Sequence, residues 1–176
     1  MTVLVAYASR YGATAEIAAR VAETVSAAGH EAVARPVGDA GDVSDAEAVV
    51  LGSAVYMGHW RKDATAFATA HRDELAARPV WLFSSGPLPG AVVPDKAAEG
   101  QGADPTPTEV PGAMADLGAR EHRIFDGRLD PARLGVRDRM IRALPAGRAL
   151  LPEVDGRDWD AIDEWARGIA FELDAR

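Results

Sequence analysis

The chain has 176 residues and no cysteine. This removes disulfides, thiolate metal centres, iron–sulfur clusters and cysteine nucleophiles, so redox chemistry would have to come from a cofactor. Long hydrophobic runs are also missing, since stretches such as 3–8 and 49–51 are strand-sized and too short to cross a bilayer. The first residues lack a basic region followed by an apolar stretch and a cleavage site, so a cytoplasmic protein is expected. Basic charge is outnumbered, with 19 Lys and Arg against 27 Asp and Glu and a net charge of −8. That balance argues against a nucleic-acid partner. Large apolar side chains are fewer than the 48% hydrophobic content suggests, because 36 of those residues are alanine. A single core is still well supported at this length, and there is no internal repeat.

What is present is an alternation. Residues 3–7 are a short apolar, β-branched run, as in a strand buried on both faces. Residues 13–28 become Ala-rich, with Ile17, Val21 and Val25 on one face and Gly29 as a terminator, which predicts a helix. A strand at 31–35, a strand at 48–51 ending at Gly52, a helix at 63–76 and a buried strand at 80–84 follow. Strands alternating with helices imply βαβ units and a parallel sheet, whose ligands lie beyond the carboxyl ends of the strands. The Gly/Pro-rich stretch 86–112 has no sustained period and predicts a long irregular excursion. A short helix at 113–119, a strand at 122–125 and a helix at 157–173 complete the reading. The last helix carries Trp159, Ile162, Trp165, Ile169 and Leu173 as a stripe, with Asp155 or Asp158 as its cap. The expected organisation is one domain over 1–176 with a basic insertion at about 126–150.

Three strand ends carry candidate chemistry. After the first strand come Ser9, Arg10, Tyr11, Gly12, Ala13 and Thr14, leading directly into a helix. Gly12 permits close backbone approach, Ser9 and Thr14 offer hydroxyls, and a helix start presents free N–H groups with partial positive charge. The set suits a phosphate monoester without a metal; the alternative is that Ser9 and Thr14 only cap the helix. No Lys follows, and Gly-x-Gly-x-x-Gly is absent, so neither nucleotide hydrolysis nor dinucleotide binding is indicated. The third strand leads into Ser53, Ala54, Val55, Tyr56, Met57, Gly58, His59 and Trp60, a stretch suited to a flat, partly apolar ring or to ordinary core and rim packing. The fourth ends in Ser84, Ser85, Gly86, Pro87 and Leu88, whose backbone suits a ring's polar edge.

Taken together the three loops resemble the FMN site of the flavodoxin-like family, and the likeness covers nearly the whole chain. The resemblance implies an α/β three-layer sandwich with a five-stranded parallel sheet in the order 2-1-3-4-5 and helices on both faces. It implies FMN as cofactor, with 9–14 holding the phosphate and 53–60 and 84–88 flanking the ring, and no metal. Tyr11 stands where ordinary flavodoxins favour a Thr. Ser9-Arg10-x-Gly12-x-Thr14, Gly58-His59-Trp60, a basic segment after the fifth strand and the Asp158-Trp159 helix start are closer to the menaquinone-dependent protoporphyrinogen oxidase class. In that class the basic insertion accompanies substrate turnover.

The basic segment also stands by itself. Residues 120–148 hold eight Arg and no Lys against four carboxylates, a local balance of +4 that leaves −12 elsewhere. Val136, Met140, Ile141 and Leu144 give it one apolar face, with Arg137, Arg139 and Arg142 at other positions. Arg137, Arg139 and Arg142, with Trp60, are expected to contact substrate or an anionic membrane surface at the inner face of the membrane; the alternative is a simply solvated helix. A receiver domain is excluded because the strand ends lack its acidic cluster, and no Gly-x-Ser-x-Gly hydrolase elbow occurs. The expected function is an FMN-dependent oxidoreductase in which the flavin is the reacting group and no side chain need be catalytic. Two-electron chemistry with a quinone or small planar redox substrate is expected, protoporphyrinogen oxidation included. The rival is a flavodoxin-type carrier of single electrons; Pro87 and Leu88, offering no aromatic ring, leave one flavin face open and weigh toward the enzyme.

Overall fold

The structure is a computed structural model that describes residues 1–86, 105–151 and 153–175. Strand β1 (Thr2–Ala8) is flanked in parallel by β2 (Glu31–Pro36) at the edge and by β3 (Ala48–Tyr56) at the centre of the sheet. Strands β4 (His59–Trp60), β5 (Val80–Ser85) and β6 (His122–Phe125) complete the sheet. The parallel order is β2-β1-β3-β5-β6, and β4 folds back antiparallel on β3. With that two-residue strand set aside, the order is the expected 2-1-3-4-5.

Period-two alternation sorts the side chains to two cores. Val3, Val5, Val50, Trp81 and Phe83 face helices α1 (Ala13–Ala27) and α7 (Trp159–Asp174). Leu4, Ala6, Val49, Leu51 and Leu82 face α2 (Lys62–Ala70), α3 (Arg72–Ala76) and α4 (Val110–Leu117). Apolar residues on both faces are what a sheet covered by helices on each side requires. Helix α1 packs through Ile17, Val21 and Val25, and α7 through Ile162, Trp165, Ile169 and Leu173. The two helices are joined by Asp163, whose carboxylate takes a two-pronged contact from Arg20 at 2.6–2.7 Å and a hydrogen bond from Thr24. The Arg20 guanidinium holds the Asp163 carboxyl down at about 2.

Several expectations shift. Strand β3 runs through Gly52 to Tyr56, and a Cβ on Gly52 would lie 2.0 Å from the Phe83 ring, so this glycine serves core packing and does not end the strand. The predicted helix at 63–76 is divided at His71 into α2 and α3. Helix α4 starts at Val110, with Pro111 in its first turn, and the irregular stretch therefore ends at Glu109. Residues 87–104 of that stretch, Leu88 among them, lie outside the described residues. Asp158 is the cap of α7, accepting from the Ala161 N–H, but Trp159 leaves the stripe to lie 4.6 Å from the Arg157 guanidinium. The basic insertion is bracketed by a small antiparallel pair, β7 (Arg128–Leu129) with β8 (Val154–Asp155). Between them lie α5 (Val136–Ala143) and α6 (Gly147–Leu150). No helix of the described residues is long and apolar enough to cross a membrane.

Candidate functional site

Neighbours β2 and β3 lie on opposite sides of β1, so the chain direction switches there, and in such sheets ligands bind beyond the carboxyl ends of the two strands, here β1 and β3. The first loop follows β1 at that end. Gly12, at φ +93°, is the residue before α1, and the left-handed backbone it adopts excludes most side chains. Ser9 Oγ accepts from the Gly12 N–H at 3.1 Å and so shapes the turn; it does not cap the helix. Helix α1 has no side-chain cap, and Thr14, 1% exposed, makes no hydrogen bond through its hydroxyl among the described residues. An unpaired hydroxyl and a set of helix-terminal N–H groups are thus available to a ligand, and the capping alternative fails.

The second stretch is a hairpin. Met57 and Gly58 have φ of 52° and 78°, the left-handed pair of a type I′ turn between β3 and β4. Met57 at the tip is 83% exposed and Tyr56 40%. Arg10 lies 5.0 Å from the Tyr11 ring and 5.9 Å from that of Tyr56, linking the first loop to the hairpin. Burial pushes the Tyr56 hydroxyl up to about 12, so it stays a neutral phenol. Glu109, which sequence reasoning missed, clamps the hairpin: one carboxylate oxygen contacts His59 Nδ1 at 2.8 Å and the other accepts the Trp60 N–H at 2.9 Å. Burial opposes its ionisation, yet the Trp60 N–H and His59 hold the Glu109 carboxyl below its ordinary range.

Trp60 is not a surface contact for substrate or membrane. It is 4% exposed, and its indole Nε1 donates to Ser84 Oγ at 2.8 Å, while the same hydroxyl contacts His122 Nε2 at 2.8 Å. Ser53, Ser84 and Ser85 are buried within strands. Ser53 Oγ donates to the Ala54 carbonyl and accepts the Arg61 N–H, and Gly86 N–H donates to the Phe125 carbonyl. These groups hold the scaffold together, because a buried polar atom must be satisfied internally where no ligand reaches it. Ala54 is buried and Val55 partly so, which makes them walls beneath the hairpin.

The insertion reaches the first loop. The Tyr11 hydroxyl donates to Asp138 of α5, and Arg10 pairs with the same carboxylate at 3.2 Å. A Cβ on Gly12 would lie 2.6 Å from Arg133 Nη1. Glu16, in the first turn of α1, receives Arg128, Arg133 and Arg157, and though burial opposes it the hydrogen bonds from Arg157 and Arg133 keep its carboxyl below the usual range. Those partners lie 112 to 141 residues away in sequence, so no spacing could have announced them. Of the three arginines expected to contact substrate or membrane, Arg139 donates to the Ala132 carbonyl and half-buried Arg142 to the Leu151 carbonyl. Arg137 alone is exposed without a partner among the described residues.

A doubly wound sheet with an uncapped phosphate-type loop at its switch point defines a flavodoxin-like α/β protein. The flavodoxin domain family model matches residues 4–146, and the chain belongs to that family, whose cofactor is FMN. A flavodoxin from the domain Archaea is similar, at 14% identity, TM-score 0.61 and 99% coverage of both chains. A cysteine-to-serine mutant of flavodoxin from Pseudomonas aeruginosa matches at 20% identity and TM-score 0.60, again over 99% of both. The rubredoxin oxygen:oxidoreductase of Desulfovibrio gigas matches at 14% identity and TM-score 0.64, over 99% of this chain and 36% of that one. These identities establish a shared fold. No curated protein matches the sequence. The donors at the first loop fit the phosphate end of FMN: neutral hydroxyls, a left-handed glycine and a helix N-terminus with no cap of its own.

Proposed function

We propose that this chain binds FMN at the carboxyl ends of β1, β3 and β5 and works as a flavodoxin-type electron-transfer protein. The observation that carries the reading is the uncapped start of α1 together with the Thr14 hydroxyl, which makes no hydrogen bond among the described residues. Bound FMN supplies a ring that takes up and releases electrons reversibly. Ser9 and Gly12 set the turn that admits the phosphate, and Thr14 with the first N–H groups of α1 binds it. Tyr56, Met57 and Gly58 form the hairpin side of the ring pocket, with Tyr56 remaining neutral across the working pH range. The Glu109 clamp and the Trp60–Ser84–His122 contacts fix that hairpin to the sheet. Outside residues 120–148 the chain carries −12, a field that steers a basic redox partner.

A second reading has a specific observation in its favour. Val136, Met140 and Leu144 are 76%, 69% and 60% exposed on α5 and its end, beside the unpartnered Arg137. An apolar, arginine-bearing face suits the surface of an anionic membrane, where a quinone would be met. On this reading the chain is an FMN-dependent oxidoreductase of the protoporphyrinogen oxidase class, at the inner face of a membrane.

The test begins with titration of FMN, riboflavin and FAD into the purified protein. Preference for FMN is expected, and equal affinity for riboflavin would sink the phosphate assignment. Reductive titration of the loaded protein then separates the readings. Two well-separated one-electron potentials support the carrier, whereas a single two-electron wave with fast oxidation by a menaquinone analogue supports the oxidoreductase.

A further inference from the structure

Three arginines of the insertion and its flanks converge on Glu16, yet they are not equivalent. Arg157 is spent: its side chain is 4% exposed, two of its nitrogens serve Asp155, and the third serves Glu16. Arg128 is divided between Glu16 at 3.4 Å and Asp130 at 3.1 Å. Arg133 uses only Nη1, on Glu16 Oε1 at 2.7 Å, while its Nε stands 3.8 Å from Asp130, beyond hydrogen-bond reach. A guanidinium has five N–H donors in a fixed fork, so most of those on Arg133 remain uncommitted, and its side chain is 47% exposed. The same Nη1 lies against Gly12, at the left-handed turn that opens α1.

The carboxylates nearby do not compete for this position. Asp138 is committed to Tyr11 and Arg10, Asp155 to Arg157, and Asp130 accepts from Arg128 and the Ala132 N–H. We propose that Arg133, anchored by Glu16 over Gly12, is a ligand of the cofactor phosphate contributed by the insertion, and that Glu16 is its positioning residue. The inference rests on the FMN reading above and deepens it. Neutral loop donors reach the phosphate through hydrogen bonds alone, whereas Arg133 adds a positive charge. Phosphate binding therefore becomes sensitive to salt, and the insertion closes the phosphate end of the site.

The experiment titrates FMN and riboflavin into the full chain and into Arg133→Gln, Glu16→Gln and Thr14→Ala, each at low and high ionic strength. Loss of one charge-assisted contact should weaken FMN by about 10- to 100-fold in Arg133→Gln and riboflavin by less than about twofold. The fall of FMN affinity with salt should flatten in the same variant. Glu16→Gln should weaken FMN to a lesser degree, and Arg133→Lys should restore part of the affinity by returning the charge. Unchanged riboflavin binding shows that the variants are folded. If Arg133→Gln leaves the FMN-to-riboflavin ratio and the salt slope unchanged while Thr14→Ala lowers the ratio, the phosphate site stands and the role of Arg133 is overturned. If the unaltered chain binds both flavins equally, the FMN reading falls and this inference with it.

Discussion

The loop after β1 and the segments after β3 and β5 meet at the same end of the sheet, yet their polar groups are in opposite states. Around Trp60, Ser84, His122, Ser53 and Glu109 each side-chain donor or acceptor has a partner within the chain. Around Gly12 and Thr14 the helix start is uncapped, the Thr14 hydroxyl makes no hydrogen bond among the described residues, and an arginine keeps donors in reserve. Helix-terminal N–H groups and a loop hydroxyl left unpaired by the chain are available to an anionic ligand. The satisfied region serves as scaffold, and the unsatisfied one is where the proposed FMN phosphate would bind.

The largest effect should follow from breaking the satisfied side. Trp60→Ala should cost about 3 to 5 kcal/mol in urea denaturation, the range for removing a buried tryptophan. A loss under about 1 kcal/mol would return Trp60 to the rim. Ser84→Ala leaves the indole N–H without its acceptor and should cost about 1 to 3 kcal/mol. On the open side the order of effects reverses. Thr14→Ala should reduce FMN affinity by about 1 to 3 kcal/mol, leave riboflavin affinity intact and hardly move the denaturation midpoint. Loss of stability without loss of phosphate selectivity would erase the contrast between the two regions.

Acid titration probes a joint remote from both. The Asp163 carboxyl is held at about 2 when folded, below its ordinary 3.8, by the Arg20 hydrogen bonds first and, against the cost of burial, by Thr24. A depressed carboxyl contributes stability that is complete above its unfolded value and lost as pH falls through the folded one. Asp163→Asn should flatten the fall in stability between about pH 4 and pH 2, and an unchanged acid limb would show that the α1–α7 latch contributes nothing. The smallest effect is expected on α5. Met140→Ser and Arg137→Gln should stay within about 0.5 kcal/mol of the parent in stability. Together they should release the protein from anionic vesicles in a sedimentation assay if the membrane reading holds; indifference to lipid charge would leave the carrier reading alone.

Sequence by itself determined a parallel sheet with crossover helices, because apolar runs of strand length alternate with an Ala-rich helical period; the strand order followed from the resemblance of the three loops to the flavodoxin-like family. It also located the first loop, since Gly12 followed by a helix start is a local arrangement with a local cause. The extent of β3 was not legible, because the fitness of Gly52 for a strand depends on the Phe83 ring beside it in the neighbouring strand. Trp60 was misplaced for the same reason: an aromatic after a turn reads alike whether it faces solvent or a serine 24 residues away. Glu16, Arg133, Asp138 and Glu109 carry no spacing signal at all. Their roles arise when the insertion folds back onto the first loop and α4 onto the hairpin, and charge pairing across more than 100 residues is decided only by tertiary structure.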